Sequence, residues 1–510
     1  MNLTRRQFLR KVGFTTSSAA LVGFIESLTM TNALAQTGGQ YKALVCVFLN
    51  GGNDSNNTII PLGSGSAPVG GYTAYANERA SSGLAIPQAN LLPISPASFG
   101  TDSFGLHPAF ADFTLGSPAV NMAGLATLFN QGRAAVVCNV GPLIRPFFNP
   151  ANPSQTPRQL YQNGTIPRPQ QLFSHSDQIS QWQTSISNTN SGTGWGGRAA
   201  DRTILLNATT SDPQGTRFPM ITSVAGAQVY TIGVTTQPLA IPPAPTTLDA
   251  ALVLNGYGTS AAETARRNAF DYLRSIDQGN VLVKAAQRLT DQALAVDAAL
   301  NVNPTITTPF PNTGLGNQML QIARVIKANL TQPALGLNRQ IFLCQLGGFD
   351  THQNQLPGQT NLFTQLNQAI GAFYHWLKNN NDPAVGDISS RVTIFTLSDF
   401  SRTFNPSGSG SIVGTDHAWG SHQFVVGGAV QGREFYGIPL PTSRGGNGTV
   451  FPTLTRGNAY DTDTRGRWIP TVAVDQFGAT LATWYGVAPA DLPYVFPNIG
   501  QFSPTTLGFI

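Results

Sequence analysis

"YKALVCVFLNGGNDSNN", residues 41–57, is the stretch that decides the architecture. The run 42–49 is apolar without a break after Lys42. A strand with one wet face alternates apolar and polar side chains, whereas a strand covered on both faces does not. Two glycines then stop the run, and Asp54 follows in an Asn- and Ser-rich turn. The same form, an apolar run ending in a polar loop, recurs at 134–140, 339–346, 391–397 and 423–430. Helical periodicity falls at 117–131, 259–277, 279–301, 315–330, 360–378 and 474–486. Strands alternating with helices predict an α/β fold, a three-layer sandwich around a mostly parallel central sheet with loop insertions. The Pro- and Asn-rich stretch 141–172 reads as the longest insertion, with further loops at 234–247 and 303–312. No linker or internal repeat divides the chain. Candidate motifs run from residue 50 to residue 422, which predicts one domain over 36–510.

Open α/β sheets bind ligands at the carboxyl ends of their strands. After 42–49 comes Asp54. After 339–346 comes "GGFDTHQNQ", with Asp350 and His352. After 391–397 comes "SDFSRT", with Asp399 and Arg402. "GTDHAWGSH", 414–422, then supplies Asp416, His417 and His422. Only 10% of the chain is charged and it holds only six histidines, so this concentration at one sheet edge points to metal chemistry. Asp350 and His352 are two apart and face the same side of an extended segment. Gly51, Gly52, Gly347, Gly348, Gly414 and Gly420 allow backbone to approach a ligand closely. Ordinary alternatives stand beside each motif: an Asx turn for Asp54, and a turn with Asp350 as cap. His107 in "LHPAF" reads as satisfying a helix start, and His375 in "FYHWL" as structural. In "LFSHSDQISQWQT", 172–184, a helix starts near Asp177 with Ser174 or Ser176 at its head. A hydroxyl there sits in positive potential, though an N-cap serine does the same.

The N-terminus has a separate purpose. "TRRQFLRK", 4–11, precedes a small-residue apolar stretch and "ALA" at 33–35. That is the pattern of a twin-arginine (Tat) export signal over 1–35. It predicts cleavage before Gln36, the Tat translocase as a passing partner, and a periplasmic or secreted protein. Thr, Ser and Glu26 interrupt the apolar stretch, which makes it a poor permanent span, and no later stretch is long enough to cross a membrane. Arg5, Arg6, Arg10 and Lys11 against Glu26 account for +3 of the net +5, leaving about +2 on the remainder. So weak a charge gives no basis for nucleic-acid binding. Cys46, Cys138 and Cys344 each lie inside an apolar run and read as buried thiols, not as a disulfide framework.

Read in order, "VFLNGGNDSNNTIIP", "FGLHPAF", "LFNQGRAAVVCNVGP", "LFSHSDQ", "GGFDTHQNQ", "LSDFSRT" and "GTDHAWGSHQFVVGGAVQG" resemble the Tat-exported family called domain of unknown function 1501. The resemblance covers about residues 40 to 490. That family is similar to the alkaline phosphatase and sulfatase superfamily. The resemblance implies two divalent metal ions, zinc first, with manganese, calcium or magnesium as alternatives. It implies Asp350, His352 and His422 on one ion, and Asp54, Asp416 and His417 on the other. Ser174 matches the nucleophile, Arg402 a group for non-bridging oxygens, and His175, Asp177 and Asp399 groups behind the ligands. The implied activity is hydrolysis of a phosphate or sulfate ester, on a small molecule or a polymer. A non-catalytic binding or cell-surface assembly protein on the same scaffold is the alternative. The sequence departs from the superfamily in the five-residue step from His417 to His422, in the two-residue step from Asp350 to His352, and in "FSHSDQ".

Overall fold

The computed structural model describes residues 40–63, 69–100, 103–209, 212–216, 218–251, 259–276, 279–332, 335–379, 383, 385–408 and 412–510. The expected export signal, 1–35, lies outside them.

The five sequence-predicted strands form the centre of one nine-stranded sheet. Its strands are β1 (Lys42–Asn50), β2 (Ala134–Gly141), β3 (Ile221–Ser223), β4 (Leu239–Ala240), β5 (Arg339–Gly347), β6 (Val392–Ser398), β7 (Ser421–Val426), β8 (Phe435–Tyr436) and β9 (Val472–Ala473). The order across the sheet is β8-β2-β7-β6-β1-β5-β3-β4, with β9 also on β2. β1 lies between β5 and β6 and is parallel to both, in register from Lys42↔Arg339 and Ala43↔Val392. β3 and β4 continue the parallel set. β7 alone runs antiparallel, against both β6 and β2. That reversal matters for the site. The chain enters β7 at the edge where β1, β5 and β6 end, so residues 414–420 meet the loops that follow those three strands.

The unbroken apolar runs are explained by burial on both faces. In β1, Ala43, Val45, Val47 and Leu49 belong to one core, and Leu44, Cys46 and Phe48 to the other. Helices α6 (Gly314–Thr331) and α7 (Gln355–Asn379) cover the first face through Met319, Ile322, Phe363 and Phe373. Helices α3 (Trp195–Thr203) and α8 (Val474–Tyr485) cover the second, through Trp195, Phe477 and Leu481. Helices α4 (Ala261–Ser275) and α5 (Val281–Leu300) lie where periodicity puts them. All three cysteines are buried and free. Among the described residues no helix is long and apolar enough to cross a membrane.

The expected helix over 117–131 is shorter in the structure. Gly116 has a φ of +84° and, with Ser117 and Pro118, turns the chain between strands Phe113–Leu115 and Val120–Met122, so helix begins only at Leu125. α7 begins at Gln355, earlier than the expected 360, because Pro357 falls in its first turn, where a missing N–H costs nothing.

Asp475, in the first turn of α8, is fully buried, and its carboxylate oxygens have no well-formed hydrogen bond. Burial drives its pKa from 3.8 up to about 7, against the smaller opposing pulls of Ser185 and Arg198. Between those values the unfolded chain loses this proton and the folded one keeps it. Stability therefore falls as pH rises from about 4 to 7, by roughly 4 kcal/mol in total. Asp475→Asn is expected to match wild type near pH 4 and to exceed it at pH 8 by a few kcal/mol. Urea denaturation at the two pH values measures this, and equal stability gaps at both would refute it.

Candidate functional site

Four segments meet at the carboxyl edge of the sheet. Phe349–His352 follows β5, and Asp399–Arg402 follows β6. Residues 414–420 lead into β7, and Phe173–His175 opens helix α2 (His175–Thr184), which packs beside β6. The two glycines after β1 allow this approach. Gly51 has a φ of +114°, and a Cβ there would lie 2.4 Å from the Asp350 amide nitrogen. At Gly414 a Cβ would lie 2.3 Å from the His352 carbonyl. These glycines admit neighbouring backbone, where the sequence suggested a ligand. Residues 401–403 then pair with 416–419: Thr403 donates to the Asp416 carbonyl at 2.9 Å, and Ala418 to the Ser401 carbonyl at 2.8 Å. This stands Arg402 beside His417.

Three imidazoles face one carboxylate oxygen. His417 Nε2 lies 3.1 Å from His175 Nε2 and 3.0 Å from His352 Nε2. Asp350 Oδ1 lies 3.3 Å from His175 Nε2, 3.2 Å from His352 Nε2 and 3.5 Å from His417 Nε2. The opposite nitrogen of every ring is held by an acceptor. His175 Nδ1 meets Asp399 Oδ2 at 2.7 Å, and His352 Nδ1 meets Asp416 Oδ1 at 3.1 Å. His417 Nδ1 meets the Phe173 carbonyl at 2.8 Å. A carbonyl or carboxylate takes only an N–H, so a neutral ring that gives its proton to the acceptor at Nδ1 turns a bare Nε2 lone pair toward the cluster. In that tautomer three lone pairs and a carboxylate oxygen face one another; the Arg402 guanidinium already donates to Asp350 Oδ1 and lies 3.5 Å from His352 Nε2, and a metal cation among the donors would relieve the repulsion that remains. Donors shared by one ion at about 2.0–2.1 Å stand about 2.9–3.4 Å apart. Of the five donor separations given, four fall in that range and the fifth is 3.5 Å. His175, Asp350 and His417 could hold a metal ion by their mutual spacing, and His352 stands beside that trio with its Nε2 3.0 Å from His417 Nε2. Acceptors behind metal-binding imidazoles are the usual support of such sites.

The electrostatics agree. The hydrogen bond that His175 donates to Asp399 raises the pKa of His175, against burial. Burial lowers that of His417, and Arg402 and the other two imidazoles lower it further. Partial burial pushes Asp350 up, but the hydrogen bond and charge of Arg402 outweigh it and hold the carboxyl below its usual range. Asp416 is likewise held down by Arg465, against burial. The apolar wall is Phe400, whose ring lies 4.7 Å from those of both His175 and His417. Phe173 has a φ of +75°, strained for an aromatic residue, and this turns its carbonyl to His417.

Several sequence-predicted residues stand elsewhere. Asp54 is fully buried and paired with Arg79 at 2.6 Å, while it also caps the short helix α1 (Ser55–Thr58). His422 is buried under the ring of Phe451, and its Nδ1 accepts the Asn139 N–H at 3.1 Å. Burial takes its pKa down to about 3. Neither joins the cluster. Asp416 stands behind His352, not among the converging donors, and His175 takes the converging place the sequence reading gave to His422. Asp399 does stand behind a ligand-type ring. Ser174 hydrogen-bonds Asp177 at 2.6 Å and Ser176 at 3.1 Å, not the imidazoles. Arg402 is fully buried, and carbonyl oxygens take its Nε, Nη1 and Nη2. His107 caps a 3-10 turn by accepting the Ala109 N–H at 3.0 Å, as its sequence context suggested, and burial lowers its pKa to about 4. The contributions of the Phe173 carbonyl, Phe400 and Arg465 carry no signal in the sequence.

Fold and site together define an α/β protein with an imidazole–carboxylate cluster at the carboxyl edge of a mostly parallel sheet. The chain belongs to the family described as "Protein of unknown function (DUF1501)", whose model matches residues 41–439. The match takes in every residue of the cluster and ends short of the 490 that the motifs suggested. No curated protein matches the chain.

Proposed function

We propose that this is an exported metal-dependent hydrolase of phosphate or sulfate esters that holds one divalent transition ion, zinc first, on His175, His417 and Asp350, with His352 beside them. The observation that carries the reading is the convergence of three imidazole Nε2 atoms on one carboxylate oxygen. The two-ion arrangement implied by resemblance contracts here to one, because Asp54 pairs with Arg79 and His422 packs on Phe451. When bound, such an ion polarises an ester oxygen as a Lewis acid. Asp399, Asp416 and the Phe173 carbonyl fix the ring tautomers. Arg402 holds Asp350 ionised and ties together the loops after β1, β5 and β6. Ser174, with its hydroxyl on Asp177, remains the candidate nucleophile at the head of α2. The alkaline-phosphatase-like form of the fold, the twin-arginine route and a periplasmic or secreted location belong to the same proposal. They rest on the motif order and on residues 4–35.

A second reading keeps the ion but not the turnover: a binding or assembly protein on this scaffold. It is favoured by Ser174, whose hydrogen bonds run away from the cluster. The test is elemental analysis of the folded protein, followed by hydrolysis of p-nitrophenyl phosphate and p-nitrophenyl sulfate. One tightly held ion per chain and turnover of either ester is the expected result. An ion without turnover selects the binding reading. No ion, even after incubation with excess metal, overturns both.

A further inference from the structure

We infer that Arg465 forms an anion subsite at the mouth of the cluster, taking the phosphate or sulfate group of the ester; this rests on the hydrolase reading above. The resemblance gave that task to Arg402, but its geometry is spent. Arg402 is fully buried and donates to the carbonyls of Gly52 at 3.0 Å, Thr415 at 3.0 Å, Gly51 at 2.6 Å and Phe349 at 3.2 Å, and to Asp350. A substrate oxygen could reach it only by breaking the sheet-edge loops apart.

Arg465 is differently placed. Its side chain is 33% exposed, as Asp350 is at 48% and His352 at 41%. Nη2 pairs with Asp416 Oδ2, and the other oxygen of that carboxylate holds His352 Nδ1. The guanidinium is thus one carboxylate away from the converging nitrogens. Among the described residues its Nε and Nη1 have no protein partner. The loop that carries it is rigid. Asp461, fully buried, accepts the amides of Gly457 at 2.8 Å, Gly466 at 2.9 Å, Arg467 at 3.0 Å and Asp463 at 3.3 Å. The Asn405 amide ties down the Arg465 carbonyl at 3.0 Å. The neighbouring Arg467 is already occupied, with its guanidinium 4.5 Å over the Phe173 ring and bonded to Asp463.

Charge points the same way. Asp350, Asp399 and Asp416 oppose Arg402, Arg465 and a divalent ion, which leaves one net positive charge at the mouth. Removal of Arg465 cancels it. A guanidinium fork with free N–H groups matches a tetrahedral oxyanion, and a lysine supplies the charge without the fork. Arg465 lies beyond the residues matched by the family model, so family membership says nothing about it.

The test uses the full chain, metal-loaded, as wild type, Arg465→Gln and Arg465→Lys. Inorganic phosphate is titrated calorimetrically, and metal content is measured on every sample. The expected result is equal metal content, phosphate affinity lower by about tenfold or more in Arg465→Gln, and an intermediate value in Arg465→Lys. Equal phosphate affinity in wild type and Arg465→Gln overturns the subsite, as does a wild type that binds no phosphate. Metal content is read separately. A chain that takes up no ion overturns the hydrolase reading, while the dependence of phosphate binding on Arg465 still decides the subsite.

Discussion

His175→Ala is expected to lose bound metal, and His422→Ala to keep it. The two residues test geometry against sequence order, because motif order makes His422 a ligand and gives His175 a supporting place. In the structure His175 Nε2 stands 3.1 Å from His417 Nε2 and 3.3 Å from Asp350 Oδ1. His422 is turned into the core, with Nδ1 on the Asn139 amide. Loss of a direct donor should lower affinity by more than the 10- to 100-fold typical of groups behind the ligands. Asp399→Asn, which weakens the partner of His175 Nδ1 and of the Gly51 amide, should fall within that 10- to 100-fold range. His422→Ala should instead lower stability by about 3 kcal/mol, since it leaves a cavity and an unpaired amide. Metal stoichiometry and urea midpoints on the same samples separate the two effects. If His422→Ala released the ion while His175→Ala retained it, the cluster described here would not be the metal site.

The fold was legible where burial dictates the pattern. β1, β2, β5 and β6 are long, covered on both faces and therefore mostly apolar, so their ends were readable to within a residue or so. β3, β4, β8 and β9 hold two or three residues each, too few for any period to register. Strand direction is also invisible to hydropathy, so the reversal of β7 could not be read, although it is what brings residues 414–420 to the site. The site was legible as composition. Asp350, His352, Asp416 and His417 were found because the chain spends so few such residues elsewhere. Their division into direct donors and supports was not, because it depends on which ring nitrogen faces which neighbour. Asp350 and His352 do share a side, as a two-residue step predicts. His175 was harder, since a histidine at a helix head is common and its approach to His417 spans 242 positions. Asp54 was misleading for a physical reason. A buried carboxylate needs a partner, and whether that partner is an ion or an arginine is decided by Arg79, 25 positions away on a helix with no motif of its own.

Arg79→Met is accordingly expected to cost about 3–5 kcal/mol of stability without loss of metal. Arg79 and Asp54 are both fully inaccessible, and their ion pair is 2.6 Å long. The guanidinium also donates to Asn57 Oδ1 at 2.6 Å, to the Thr403 carbonyl at 2.9 Å and to the Phe404 carbonyl at 3.1 Å. Its removal leaves a carboxylate and three acceptors buried with fewer donors than they need. The charge is then far more costly than the lost attraction, because a carboxylate inside the fold has no water to turn to. The double variant Arg79→Met/Asp54→Leu removes both charges and should recover part of the loss, as buried pairs replaced together by apolar side chains commonly do. Asp54→Asn keeps the shape and the helix cap, and should retain full metal stoichiometry. That last measurement bears directly on chemistry. A ligand turned to asparagine would release its ion, whereas a counter-ion of Arg79 would change stability alone. Metal loss in Asp54→Asn at unchanged stability would restore the two-ion arrangement that the motif order implies. Retention of the ion with a lowered urea midpoint would assign Asp54 to the scaffold that holds the loop after β1 against Arg79, leaving the cluster at the sheet edge as the one place among the described residues that gathers donors for a cation.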